Sequence, residues 1–411
     1  MFFFQKHRTL KKKDFPPGPR GLPIIGNLHQ LDSFSFYLQL FELSKKYGPI
    51  FSLQLGLRQA IVISSPKLAK EVLKTHDREF AGRPNLIGQQ KLTYNGIAFG
   101  RRYEDEGVER SRFHDLLNEC QAMMGSFFVS DYIPFLGWID RLNGMHARLD
   151  RIFKELDKFY QEVIDEHMDP NRDTSNGEDI IDVLLQLKKN GSCSFDLTID
   201  HIKALFVDTL VAATDTTAAT IVWAMTALIK NPRVMKKVQK EIRDFGGQKD
   251  FLEEDDIQKC SYFKLVMKET LRLHLPAPLL VQKETNKTCI IEGYEIPNKT
   301  IVYVNAWAIH RDPEAWKDPD EFCPERFLDN DIDFLGQNFE FIPFGAGRRI
   351  CPGMHMALAS LDLILANLLY SFDWELPEGM KKEDIDTQVL PGLTQHKKNP
   401  LYLVAKSYNK G

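Results

Sequence analysis

Residues 344–353 read Phe-Gly-Ala-Gly-Arg-Arg-Ile-Cys-Pro-Gly, and the rest of the chain is organised around them. One cysteine, Cys351, stands between a glycine-rich, doubly basic loop and Pro352-Gly353. The residues that follow, 354–372, are rich in Ala and Leu and predict a helix. Pro352 suits its first turn, where a missing N–H costs nothing. The Cys351 sulfur is then expected at a helix N-terminus, beside unpaired N–H groups and the positive end of the helix dipole. With Arg348 and Arg349 adjacent, such surroundings favour thiolate over thiol. A thiolate held in this way can be an axial haem ligand. Gly345, Gly347 and Gly353 would let the backbone approach a flat ring, and Arg349 would pair with a haem propionate. The other reading is a buried structural cysteine, the commoner fate of a lone cysteine.

Upstream, 198–230 is the longest helical pattern, ended by Asn231-Pro232. It is apolar on most faces and is predicted to be buried. Yet its centre carries Ala212-Ala213-Thr214-Asp215-Thr216-Thr217. A buried carboxylate is costly unless something offsets it. Neighbouring threonines can bond back to carbonyls and loosen the helix. A second predicted helix, 262–273, carries Glu269 and Arg272, three apart and on one face. Pro324-Glu325-Arg326-Phe327 supplies another arginine.

The pattern Phe344-x-x-Gly347-x-Arg349-x-Cys351-x-Gly353 resembles the haem-thiolate signature of the cytochromes P450. The segment 212–217 is similar to the oxygen-binding helix of that family, with Ala213 where Gly is usual. Glu269-x-x-Arg272 and Pro324-Glu-Arg326-Phe resemble its Glu-x-x-Arg and Pro-Glu-Arg-Phe pair. The four motifs occur in the family's order. The resemblance implies a mainly α fold with small β-sheets (α+β): one haem domain, 15–411, with a small β region at about 48–64, 278–304 and 388–405. It implies that two guanidinium forks, Arg272 and Arg326, hold the Glu269 carboxylate. Such a buried triad is better read as a specificity device than as a source of stability. Lys283 stands where related sequences often have an arginine that meets a propionate, and a lysine does this only as a point charge. Haem b would be held by the Cys351 thiolate, with Thr216 and Asp215 managing protons on the oxygen side.

The wording of residues 15–27, Phe-Pro-Pro-Gly-Pro-Arg-Gly-Leu-Pro-Ile-Ile-Gly-Asn, makes a stiff connector. It resembles the hinge that follows the membrane anchor of microsomal P450s. Together with the other motifs it is most similar to the plant microsomal group, especially family 83, which includes aldoxime oxidases. The resemblance breaks after Gly96. The family's Trp-x-x-x-Arg helix is not found before Trp138, so several tens of residues are expected to be absent there. That helix would offer a propionate partner and part of the surface that meets a reductase.

Composition adds limits. The chain has 411 residues, 43% hydrophobic and 27% charged, with a net charge of -4, so nothing points to a nucleic-acid partner. Six scattered cysteines form no C-x-x-C pair, which argues against a zinc site or a disulfide framework and for a reducing compartment. No stretch is read as long and apolar enough to span a bilayer. Residues 1–14, apolar then basic, are read as the stub of a lost anchor or a plain basic terminus. Residues 37–47, 111–128, 145–167 and 179–189 predict helices, and 50–55 with 59–63 predict a hairpin. The stretches 279–285 and 289–304 predict strands, as do segments near Val389 and 401–404 that turn at 391–394. Residues 81–95, 134–138, 305–319 and 322–339 read as irregular, with His310 an exposed loop histidine. Gly345-x-Gly347 lacks a third glycine at dinucleotide spacing.

Three functions follow from these readings. The first is a haem-thiolate monooxygenase that takes electrons from NADPH through cytochrome P450 reductase and oxidises a small apolar metabolite with O2. It would sit at the endoplasmic reticulum membrane. Lys236, Lys237 and Arg348 are candidate contacts for the reductase. The second is an inactive, shortened remnant with impaired haem binding. The third keeps haem but uses peroxides, which the Asp215-Thr216 pair argues against.

Overall fold

Ile50–Leu55 (β1) and Arg58–Ile63 (β2) pair antiparallel from Ile50↔Ile63 to Leu55↔Arg58, and Gly56 turns the chain at φ 59°. Ile61, Val62 and Ile63 are fully buried, which suits β-branched residues in a covered strand. The computed structural model describes residues 15–32, 35–92, 116, 119–172, 178–192, 195–390 and 392–408. The N-terminal stretch 1–14, the expected break after Gly96, the start of the helix predicted from Ser111, Cys193 and Pro391 lie outside them. The chain packs as two units: Met1–Pro84 with Ser261–Pro352, and Asn85–Cys260 with Gly353–Gly411.

In the first unit, Lys283–Glu284 (β3) and Ile301–Val304 (β6) join the hairpin in a four-stranded sheet of order β1-β2-β6-β3. The β2–β6 pair is parallel. Cys289–Ile291 (β4) and Tyr294–Ile296 (β5) form a separate hairpin turned by Glu292-Gly293. Phe36–Tyr47 and Ser261–Leu273 are the main helices. The core gathers Ile61, Ile63, Val72, Phe80, Val302 and Ile342.

The second unit is helical. Met145–Met168, Ile199–Lys230, Pro232–Gly246 and Met354–Ser371 are its long helices. Its core includes Cys120, Met123, Phe128, Tyr160 and Phe206. Thr198 caps the longest helix by accepting from His201 N, and Asn231 ends it just before Pro232 starts the next. Phe372–Glu375 (β7) and Val404–Ser407 (β8) pair antiparallel.

Several expectations need correction. Residues 87–92, read as loop, form a helix: Asp131 Oδ1 accepts from Ile87 N at 3.0 Å, a cap supplied from far along the chain. The segment 134–138 holds a 3₁₀ turn, Pro134–Leu136, and the start of a helix, Trp138–Leu142. Residues 306–309 are helical because Asn305 Oδ1 accepts from Ala308 N. Among the described residues only a bridge, Val389↔Lys397, forms near 389, and residues 404–407 pair with 372–375. Among the described residues, the 388–405 stretch therefore shares no sheet with β1 and β2.

Two helices, Ile199–Lys230 and Met354–Ser371, are long and apolar enough to cross a membrane by length and composition, contrary to expectation. They pack on each other and on Pro232–Gly246, which buries part of each apolar stretch. The longer one is not buried all round, since Ala212, Thr214 and Ala218 are exposed.

Candidate active site

In the first unit, the loop 344–353 folds back on itself. Gly345 N donates to Ile342 O, Cys351 N to Phe344 O at 2.9 Å, and Gly347–Arg349 makes a 3₁₀ turn. Cys351 is half-buried, and none of the described cysteines 120, 260, 289, 323 and 351 is in a disulfide. Pro352 does not enter the helix that follows. That helix starts at Met354 with Gly353 as its N-cap, so Cys351 lies two residues ahead of the cap. Gly347 serves the chain itself. A Cβ there would lie 1.7 Å from the Leu73 carbonyl oxygen, and its φ of +69° is left-handed. Gly353 differs: a Cβ there meets nothing within 4 Å, so no contact among the described residues demands glycine.

Beside this loop, cations gather. Lys283 is buried in β3, and burial, aided by Arg83 and Arg349, pushes its ammonium down to about 7. Asp77 opposes that shift, and its carboxylate lies 3.3 Å from Arg348 Nε. Arg83 Nη1 donates to the carbonyls of Val281 and Gln282, and Arg349 Nε to that of Ala81. Two like charges beside a buried lysine are unfavourable by themselves, and an anion would relieve them. Sequence reading named Lys283 and Arg349 but missed Arg83, because no local pattern reveals a charge cluster assembled from separate segments.

The structure brings Glu269, Arg272 and Arg326 together. Arg272 Nε lies 2.8 Å from Glu269 Oε2 and Nη2 lies 2.9 Å from Oε1. Arg326 Nε lies 3.0 Å from the same Oε1, which also accepts from Cys323 N at 2.8 Å. The remaining guanidinium hydrogens go to carbonyls: Arg272 to His310, Pro319 and Glu321, Arg326 to Lys317, Asp318 and Glu321. Glu269 and Arg272 are wholly buried, so the carboxylate and its forks organise the irregular segment 310–326. His310 is not exposed. It is fully buried, with Nε2 accepting from Ile342 N at 2.9 Å and Nδ1 3.2 Å from Arg272 O. Burial pushes its imidazole down to about 3.

In the second unit, the helix Ile199–Lys230 carries Asp215 and Thr216. Thr216 Oγ1 donates to Ala212 O at 2.6 Å, the backward bond that its sequence invites. Asp215 Oδ1 lies 2.8 Å from His396 Nε2, a partner that no sequence signal marked. Asp215 Oδ2 is buried and has no hydrogen-bond partner among the described residues.

Within the first unit, the sulfur of Cys351 and the cations around Lys283 are donors of the kind a haem with its propionates would need. The family model "Cytochrome P450" matches residues 16–96 and 93–404, and the chain belongs to the cytochrome P450 family. It is a P450 monooxygenase, an oxidoreductase that binds haem iron, and its helices and small sheets are those of the P450 fold. The chain is similar to 5-OH-xanthotoxin synthase of Pastinaca sativa, 44% identical over 489 positions that cover 99% of this chain and 96% of that protein. It is also similar to cytochrome P450 71A9 of Glycine max, 40% identical over 98% of this chain and 95% of that protein. Strychnine-11-hydroxylase of Strychnos nux-vomica is 39% identical over 98% of this chain and 93% of that protein. These relatives support oxidation of secondary metabolites.

Proposed function

We propose that the chain hydroxylates a small hydrophobic aromatic metabolite, with Cys351 as the thiolate ligand of haem b. The observation that carries this reading is the cation cluster of Arg83, Lys283 and Arg349 beside the Cys351 loop. These groups would hold the propionates, Lys283 as a point charge and the arginines as forks. When bound, haem supplies activation of O2 by two electrons and transfer of one oxygen atom to a C–H bond. The residues of the chain do the rest. Phe344 and Gly347 shape the loop that presents the sulfur, and Gly353 leaves open space after it. Thr216 and Asp215 hold and pass protons at their hydroxyl and carboxylate oxygens. Thr216 spends its own hydrogen on Ala212 O, which leaves its oxygen lone pairs to accept. Glu269, Arg272 and Arg326 keep the segment ahead of the loop in register.

Electrons would come from NADPH through cytochrome P450 reductase, for which the exposed Lys236, Lys237 and Arg348 are contacts of suitable charge. The names of the relatives favour a coumarin-like substrate, since one of them is 6,7,8-trihydroxycoumarin synthase of Pastinaca sativa. The wording of the motifs favours an aldoxime, so the two classes are the substrates to offer. Exposed Phe135, Trp138 and Leu142 suit a place at the endoplasmic reticulum membrane surface.

A second reading, a shortened remnant that holds haem poorly, has its own support. The family model matches in two pieces that meet at residues 93–96, and the alignment to the first relative runs over 489 positions, more than the 411 residues of the chain. One experiment separates the readings. The reduced protein is exposed to carbon monoxide, and a red-shifted Soret band absent from Cys351→Ser is expected. Protein that takes up no added haemin favours the remnant. Turnover of a coumarin or an aldoxime with NADPH and a reductase favours the enzyme.

A further inference from the structure

The helix Ile199–Lys230 and the loop 392–399 lie in one unit and are joined at two places. Trp223 Nε1 donates to Gln395 O at 2.7 Å in the interior. The next residue of the loop, His396, has Nε2 2.8 Å from Asp215 Oδ1. Trp223 lies about two turns beyond Asp215, so both contacts fall on one side of the helix. The loop is fixed in turn. Leu390 N donates to His396 O, Lys398 N to Gln388 O, and Lys397 Nζ lies 3.2 Å from Asp386 Oδ2.

The two oxygens of Asp215 are therefore unlike. Oδ1 is held by the imidazole, while Oδ2 is buried without a donor among the described residues. Leaving a buried carboxylate oxygen unpaired is costly. The imidazole holds Oδ1 when charged and, when neutral, in the tautomer that keeps its proton on Nε2. Asp215 is 11% exposed and His396 37%, so the ring is open to solvent and the carboxylate is not.

From this geometry we infer that His396 is a positioning residue for Asp215, fixing Oδ1 so that Oδ2 is the oxygen left to exchange a proton. The inference rests on the reading of Asp215 as a proton-handling group. It links the C-terminal loop to that role, because the backbone contact to Trp223 and the side-chain contact to Asp215 come from adjacent residues.

The test uses His396→Ala, His396→Gln, Asp215→Asn and the double variant in the full chain. Hydrogen exchange of residues 388–399 is followed in the purified protein. The share of NADPH electrons recovered in product, as against hydrogen peroxide, is followed in the haem-loaded protein with a reductase. His396→Ala should speed exchange in 388–399 and lower the coupled share about tenfold, the scale of one hydrogen bond to a charged group. Gln supplies an N–H at similar reach, so His396→Gln should stay within about threefold of the natural chain. The double variant should be no worse than Asp215→Asn, as for residues acting as a unit. A looser loop with unchanged coupling in His396→Ala overturns the inference, and so does a double variant well below Asp215→Asn. Asp215→Asn with normal coupling removes the reading of Asp215 itself. Asp215→Asn uncoupled beside a coupled His396→Ala removes only the role of His396. If the chain takes up no haem, exchange decides: additive effects of the two single changes on 388–399 overturn the pairing.

Discussion

Lys283 is the residue on which charge and function pull hardest. Its ammonium is buried and faces Arg83 and Arg349, and both effects favour the neutral amine. The folded value, about 7, lies below the ordinary lysine value, so the haem-free chain gains stability as pH rises from there toward the unfolded value. Replacing this side chain by an apolar one of similar length removes the conflict. Lys283→Met should stabilise the haem-free chain by about 1–3 kcal/mol, since an uncompensated buried charge is lost. The proposed propionate role predicts that the same change speeds haem loss. Urea midpoints of the haem-free chain and the rate of haem transfer to an acceptor globin check both halves. A variant that is less stable and equally retentive would remove the anion-holding role. The sequence named Lys283 as a point charge but gave no sign of its burial, which comes from strand pairing with β6.

Among elements, His310 ties the helix Ser261–Leu273 to the segment that leads into the Cys351 loop. Because Nε2 accepts from Ile342 N, the ring is neutral with its proton on Nδ1, facing the Arg272 carbonyl. The unfolded chain takes up a proton at His310 near the ordinary histidine value, while the folded chain resists until about 3. The sign follows: this contribution is complete above about pH 6.5 and is lost as pH falls, by up to about 1.4 kcal/mol per unit. His310→Gln should be less stable at neutral pH yet show a shallower loss in acid, measured by urea unfolding on either side of about pH 6. The element boundaries show what a sequence can carry. Thr198 and Asn231-Pro232 bracket the longest helix, and Asp179 with Gly191 brackets Ile180–Asn190, because caps are local. The helix Ile87–Leu92 was not legible, since its cap is Asp131. The burial of His310 was hidden for the same reason, as its partners lie at 272 and 342. His396 lies in no motif, and only the fold joins it to Asp215.

For the whole molecule, the sequence around residues 93–96 bears on the proposed remnant and its haem retention. The two matched pieces of the family model meet there, while the relatives extend over more positions than the chain has residues. The cations that would meet the propionates, Arg83, Lys283 and Arg349, all belong to the first unit and are present. A chain with the corresponding segment of a relative inserted after Gly96 should therefore hold more haem per protein, not acquire haem binding from nothing. The ratio of Soret absorbance to protein in the two chains measures this. Equal and full occupancy in both would remove the remnant reading. The order of four motifs made the family legible from the sequence alone, because each is short and contiguous. What the chain would oxidise was not legible, since that choice belongs to surfaces without a residue code.

The close approach of Gly347 to the Leu73 carbonyl has a practical bearing on engineering. A cysteine loop transplanted from another enzyme must arrive with a neighbour for the π-helical turn Glu71–Thr75, whose backbone it touches. Chimeras cut inside residues 344–353 alone will inherit a mismatch some 270 positions upstream, so the two segments are best exchanged as a set.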